Sequence, residues 1–207
     1  LSSRSFEALA LRRHMVRAFD PSRPVRSEEV DALVATACTA PSAGNTQGWH
    51  FVVLEGPEQT GRFWSASLPE DRREGFGWPG LLDAPVLICP VAEPDAYVRR
   101  YAESDKAGTG LGSGADAWSF PYWLTDTAFA TMQLLLAAEE RGLGACFFGL
   151  FGREQAVCAA LGIPEGVRPI GMVALGHRAA DPTAHRRGRS AHRPRRSVDE
   201  VVHRGGW

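Results

Sequence analysis

Two short runs hold most of the side chains in this sequence that could do chemistry. The first, Arg12-Arg13-His14-Met15-Val16-Arg17-Ala18-Phe19, gathers three guanidinium groups and an imidazole. Arg13 and Arg17 are four apart, so a helical run would put them on one side. Two guanidinium forks beside an imidazole suit a phosphate or another delocalised anion. Taken alone, the run reads first as a solvated basic helix end. The second run is Ala40-Pro41-Ser42-Ala43-Gly44-Asn45-Thr46-Gln47-Gly48-Trp49-His50-Phe51. Its small residues let backbone approach a flat ligand, and Ser42, Asn45 and Gln47 supply donors and acceptors. A plain polar connection is the alternative for this run.

The elements around these runs follow from periodicity and punctuation. Ser27 is the expected cap of a helix carrying Glu28 and Glu29 in its first turn and ended by Pro41. His50 to Glu55 and Pro85 to Val91 read as strands, and Pro94 opens a short helix through Tyr101. Residues 104–121 contain Gly108, Gly110, Gly112 and Gly114 and are expected to form a mobile lid. Gly110 to Ala115 satisfies G-x-G-x-x-A, but no strand precedes it, which argues against a dinucleotide-binding turn. Trp123 to Arg141 is a helix apolar on nearly all sides, so it must be covered from several directions. Ala145 to Phe148 and Ile170 to Leu175 read as buried strands, with a helix from Glu154 to Leu161 between them. Residues 177–207 are arginine-rich and read as an extended arm. The order predicts one α+β domain, a central mixed or antiparallel sheet flanked by helices.

Composition excludes several classes. With 207 residues, 44% hydrophobic content and a formal net charge of -1, the chain is an ordinary globular domain and not a disordered one. Cys38, Cys89, Cys146 and Cys158 are widely spaced, without a histidine at ligand spacing, and read as buried apolar residues rather than a metal or disulfide framework. No leader is evident at the N-terminus and no apolar stretch suffices for a bilayer, which gives the expectation of a cytoplasmic protein without membrane contact. The arm's Arg186, Arg187, Arg189, Arg193, Arg195 and Arg196 raise nucleic-acid binding as a rival. The near-neutral charge and the lack of interleaved aromatics there argue against it.

Together the two runs are far more specific than either alone. The sequence resembles the nitroreductase family, whose members share a basic R-R/H-S-x-R/K-x-F opening and a P-S-x-x-N-x-Q-P-W-x-F segment. Here these stand as Arg13 to Phe19 and Pro41 to Phe51, and Gly142 to Gly149 resembles the family's G-L-G-x-x-x-x-G strand entry. Ile170 to Gly176 is similar to its closing strand and Arg193 to Val202 to its basic tail. The resemblance implies FMN in the cleft of a homodimer whose C-terminal arms are exchanged, with NADPH or NADH as reductant. It implies that Arg13, His14 and Met15 meet the phosphate and ribityl end, joined by Arg193 and Arg195. Arg17 would lie at the pyrimidine edge, where its charge favours the anionic reduced flavin. Pro41, Ser42, Ala43 and Asn45 would arrive from the partner subunit, while Phe148, Gly149 and Leu150 would border the ring's O4 and N5.

No side-chain acid or base is expected, because hydride transfer takes place on the flavin. Met15 replaces the family's serine, removing one hydrogen bond, and Gly48 replaces its proline, loosening the turn. Phe76, Trp78, Trp118 and Phe120 are the expected substrate-lining aromatics, with filling of the dimer core as the alternative. The activity implied is ping-pong reduction of a nitroaromatic, quinone or other small conjugated compound. A specialised flavin-dependent oxidase or dehydrogenase, or a flavin- or nucleotide-binding protein without turnover, are the alternatives. A deazaflavin is the alternative cofactor.

Overall fold

Strands β1 (Trp49–Glu55), β2 (Val86–Ala92), β5 (Met172–Gly176) and β3 (Gly144–Phe148) lie side by side in that order, and short β4 (Arg168–Pro169) also pairs with β2. This computed structural model describes residues 5–150, 152–180 and 192–207. All pairings between these strands are antiparallel, with Trp49 opposite Ala92 and Gly144 opposite Gly176. A parallel bridge between Met15 and Ala145 makes the sheet mixed at the β3 edge.

Both faces of the sheet are covered, and strand alternation decides which residue serves which face. Val86 and Ile88 of β2, with Val173 and Leu175 of β5, pack under α2 (Ser27–Ala37) and α6 (Tyr122–Glu140). Leu87, Cys89, Met172 and Ala174 point the other way, toward α3 (Gly56–Ser67) and α7 (Glu154–Leu161). Every residue of β2 is buried, as befits a central strand covered on both sides. The remaining helices are α1 (Phe6–Arg12), α4 (Glu70–Arg73) and α5 (Pro94–Tyr101).

Several expectations need correction. Arg26, not Ser27, precedes the first turn of α2, and Glu29 accepts from its backbone N–H and its Nε. The Ser27 hydroxyl donates to Glu55 instead. The helix stops at Ala37, ahead of Pro41, in a turn closed by Ala40 N–H on Ala37 C=O. Ile170 lies before the closing strand, which starts at Met172. Helix α3 escaped the sequence reading. Cys38 is exposed, while Cys89 and Cys146 are buried. Burial pushes the Cys89 thiol up to about 12.

Helix α6 is buried along Trp123, Ala130, Leu134 and Ala138, but Phe129 and Met132 are 48% and 42% exposed. One apolar stripe of the all-round apolar helix therefore faces outward in the single chain. Residues 104–121 form three 3-10 turns, Ala107–Thr109, Leu111–Ser113 and Ala115–Ala117, packed on α5. Of the arm, 181–191, with Arg186, Arg187 and Arg189, lie outside the described residues; 192–207 are exposed throughout. Among the described residues no helix is long and apolar enough to cross a membrane.

Candidate functional site

The basic run is extended rather than helical. Helix α1 ends at Arg12, and the chain then runs along the β3 edge, with Val16 N–H donating to Ala145 C=O at 2.9 Å. Gly144 permits this approach, because a Cβ there would sit 2.8 Å from Val16 Cγ1. Strand periodicity also puts Arg13, Met15 and Arg17 on one side, but it spreads them along the chain: four residues span about 13 Å. It turns His14 the other way, where the ring is exposed and Nδ1 lies 3.0 Å from Arg12 C=O. Val16 and Ala18, on that second side, are buried.

The arginines of the run have separate surroundings. Arg12 pairs with Glu139 at 3.3 Å, and Arg178 holds the same carboxylate at 2.5 Å. Arg13 Nη1 is buried without a hydrogen-bond partner among the described residues. A buried guanidinium N–H left unpaired is costly, and an anion is the ligand that would satisfy it. Arg17 lies 4.9 Å over the Trp78 ring and donates from Nη1 to Met15 C=O at 3.2 Å. The Met15 sulfur accepts from Phe147 N–H at 3.4 Å, so the residue standing where the family has serine bridges to β3.

Arg17 and Trp78 form one wall of a cavity of about 620 Å³ on the α3 side of the sheet. Phe148, Gly149 and Leu150, at the end of β3, form another, and Phe76 joins them. Trp64 of α3 stacks on Phe148, centroids 5.8 Å apart and planes 3° from parallel. Arg72 and Arg153 also line the cavity, and among the described residues no acidic side chain does. Arg153 is tethered by two donations to Ala66 C=O, at 3.1 and 2.8 Å. Trp64 Nε1 and Ser67 Oγ, both from lining residues, are buried without partners among the described residues. The Cys146 thiol in the wall is pushed up by burial, against the opposing influence of Arg17. The arrangement suits a flat, electron-poor or anionic group held between aromatic rings and cations. Sequence reasoning missed Trp64, Ser67, Arg72 and Arg153, because α3 and α7 meet here only through tertiary packing.

The other expected site residues do not join this cavity within one chain. Pro41, Ser42, Ala43 and Asn45 form a separate loop, with Pro41 and Asn45 exposed. Trp118 is half-buried against Tyr101, Tyr97 and Trp123, and donates from Nε1 to Leu111 C=O. Phe120 is 52% exposed beside Tyr122. Arg193 and Arg195 are exposed, and among the described residues no hydrogen bond or ion pair joins them to Arg13. A Cβ at Gly48 would sit 2.5 Å from Tyr97 Cε2, so the glycine makes room for a packed ring.

Comparison with known proteins bears on this geometry. The family model described as the nitroreductase family matches residues 10–177. A CLA biosynthesis enone reductase of Lactiplantibacillus plantarum is 30% identical over 190 residues, covering 82% of this chain and 84% of that protein. The NfrA1 nitroreductase structure from B. subtilis superposes with a TM-score of 0.71 at 22% identity, covering 97% of this chain and 74% of the other. A nitroreductase family protein from Clostridium difficile 630 gives a TM-score of 0.68 at 19% identity, with 98% and 99% covered.

Proposed function

The chain belongs to the nitroreductase family, and from that premise we propose that it is an FMN-dependent oxidoreductase using NADPH or NADH to reduce small conjugated acceptors. The observation that carries this reading is the acid-free cavity of about 620 Å³ bounded by Arg17, Trp78 and the end of β3. Arg13 does not line that cavity, but its unpartnered Nη1, two strand steps from Arg17, supports an anion site farther along the run. Arg13, with Met15 beside it, would hold the phosphate end. Arg17 would face the ring's pyrimidine edge, and Phe148 to Leu150 would border the ring. Bound there, FMN would supply two-electron transfer from the nicotinamide to the acceptor.

The chain's own residues would bind, orient and exclude. The Arg17 guanidinium favours negative charge developing beside it, more strongly than in water because aromatic rings surround it. Trp78 and Phe76 would shield the cavity from solvent and give a planar acceptor a stacking surface. Arg193 and Arg195, Trp118 and Phe120, and the Pro41–Asn45 loop could serve the same cavity only from a second copy or after rearrangement. A homodimer is the economical form of that arrangement. The outward stripe of Phe129 and Met132 on α6 supports it, as large exposed apolar side chains in a row mark an association surface. The 30% identity to an enone reductase favours a conjugated acceptor over the oxidase alternative.

The test is a visible spectrum of the purified protein, followed by NADPH and NADH oxidation with quinone, nitroaromatic and enone acceptors. A yellow protein with about one FMN per chain, reduced by a nicotinamide and reoxidised by one of these classes, is expected. A colourless protein that takes up no added FMN refutes the reading, while uptake of a deazaflavin alone changes only the cofactor.

A further inference from the structure

The loop from Ser42 to Gln47 is shaped by groups that none of the preceding chemistry uses. Asp126 of α6 is 3% exposed, and its Oδ2 accepts from Ala43 N–H at 2.8 Å and from the Tyr97 hydroxyl at 2.8 Å. Among the described residues no cation pairs with it. Tyr97, on α5, fits against Gly48, and one turn later Tyr101 fits against Gly44, where a Cβ would lie 2.8 Å from its Cε2. Two tyrosines four apart on a helix thus seat on two glycines four apart in the loop. Trp118 packs edge-on against both rings, at 5.8 and 4.6 Å. Arg100 donates to Gly44 C=O at 2.9 Å and is itself held by Asp105.

Within the loop, Asn45 and Gln47 have φ of 53° and 55°. Asparagine adopts left-handed backbone at little cost, but at a glutamine it persists only where the surroundings impose it. A buried carboxylate is likewise unfavourable unless its hydrogen bonds are made. Here one of those bonds goes to a loop N–H outside any long helix or strand.

We propose that Asp126 is a positioning residue: through Ala43 and Tyr97 it fixes the Ser42–Gln47 backbone in the shape that meets the cofactor of a second copy. This rests on the flavin-dimer reading above. It also assigns Trp118 to buttressing the loop rather than to touching substrate, and explains the family departure at Gly48 as the space that Tyr97 requires.

The experiment uses the full chain and FMN titration by flavin fluorescence, with the visible circular dichroism of the bound flavin recorded alongside. Asp126→Ala should raise the FMN Kd about tenfold, the factor for a loop competent one-tenth of the time. Asp126→Asn should restore most of the affinity, because one amide oxygen can accept from both Ala43 and Tyr97. Tyr97→Phe keeps the ring against Gly48 but removes one donor, and should give a smaller loss with an altered dichroism band. If Asp126→Ala does not fold, Tyr97→Phe still decides the matter. Mixed dimers extend the test. With Asp126→Ala on one chain and Arg13→Ala on the other, an action across the interface leaves one of the two sites at wild-type affinity. An action within each chain leaves none and overturns the proposal. Wild-type FMN affinity and dichroism in Asp126→Ala and Tyr97→Phe, whatever their melting temperatures, would also overturn it. A wild type that binds no FMN would instead refute the cofactor reading on which it rests.

Discussion

Replacing Arg13 by alanine should move stability and binding in opposite directions. Without ligand, Arg13 Nη1 is a buried donor with no partner among the described residues. Such a group costs about 1–3 kcal/mol, offset in part by packing of the arginine stem. Arg13→Ala should therefore leave the cofactor-free protein as stable as before or raise its stability by about 1 kcal/mol, roughly 2–4 °C in Tm for a chain of this size. The same change removes a charged donor from the phosphate and should weaken FMN by about 1.5–3 kcal/mol, roughly 10- to 150-fold in Kd. At FMN a hundredfold above the wild-type Kd, ligand stabilisation is about 2.7 kcal/mol; a hundredfold weaker variant keeps only about 0.4 kcal/mol. Differential scanning fluorimetry with and without FMN reads both effects, and riboflavin, lacking the phosphate, is the control. A variant whose cofactor-free Tm falls by several degrees while FMN and riboflavin bind as before would refute the reasoning. Arg13 would then be a structural residue.

Arg17→Ala should leave phosphate recognition nearly intact, make the bound flavin's midpoint potential more negative and slow its reduction by the nicotinamide; unchanged potential and rate would remove Arg17 from the ring's edge. Phe129→Glu with Met132→Lys on α6 should give a monomer in light scattering and a loss of FMN affinity, whereas a normal dimer would place the interface elsewhere. Cys89, pushed up to about 12 by burial, keeps its proton in the folded chain at pH values where the unfolded thiol has lost it. Its contribution is complete below the ordinary thiol value and is lost as pH rises toward about 12, with a slope of about 1.4 kcal/mol per pH unit. Urea unfolding of the Cys89→Ala variant should show a shallower alkaline decline, and identical slopes would contradict the assignment.

The basic run and the Pro41–Phe51 segment stood out in the sequence as candidate site segments because residue type and spacing are local features. The β2 and β3 strands were legible for a related reason: β-branched and apolar residues between glycine or proline signals already specify short buried strands. The same local logic placed Glu154 to Leu161 as a helix ending at Gly162, whose φ of 67° a glycine adopts readily. The conformation of the basic run was another matter. A spacing of four fits one side of a helix and one side of a strand alike. Only pairing of Val16 with Ala145 on the β3 edge chose the strand, and with it the exposure of His14.

Tertiary structure also decided which cations are available. Arg12, Arg13 and Arg17 are the same residue type within one short stretch. Glu139, far along the chain, pairs with the first, while the second keeps an unpartnered nitrogen and the third lies over Trp78. The aromatics divided in the same way. Phe76 and Trp78 reached the cavity because the chain between α3 and β2 folds over it, whereas Trp118 was drawn to Tyr97 and Tyr101 of α5. Local pattern fixes a side chain's chemistry and its periodic face. Its partners come from elements distant in the chain, and so the sequence determined the kinds of groups this protein brings to a ligand, while packing decided which of them are free to meet one.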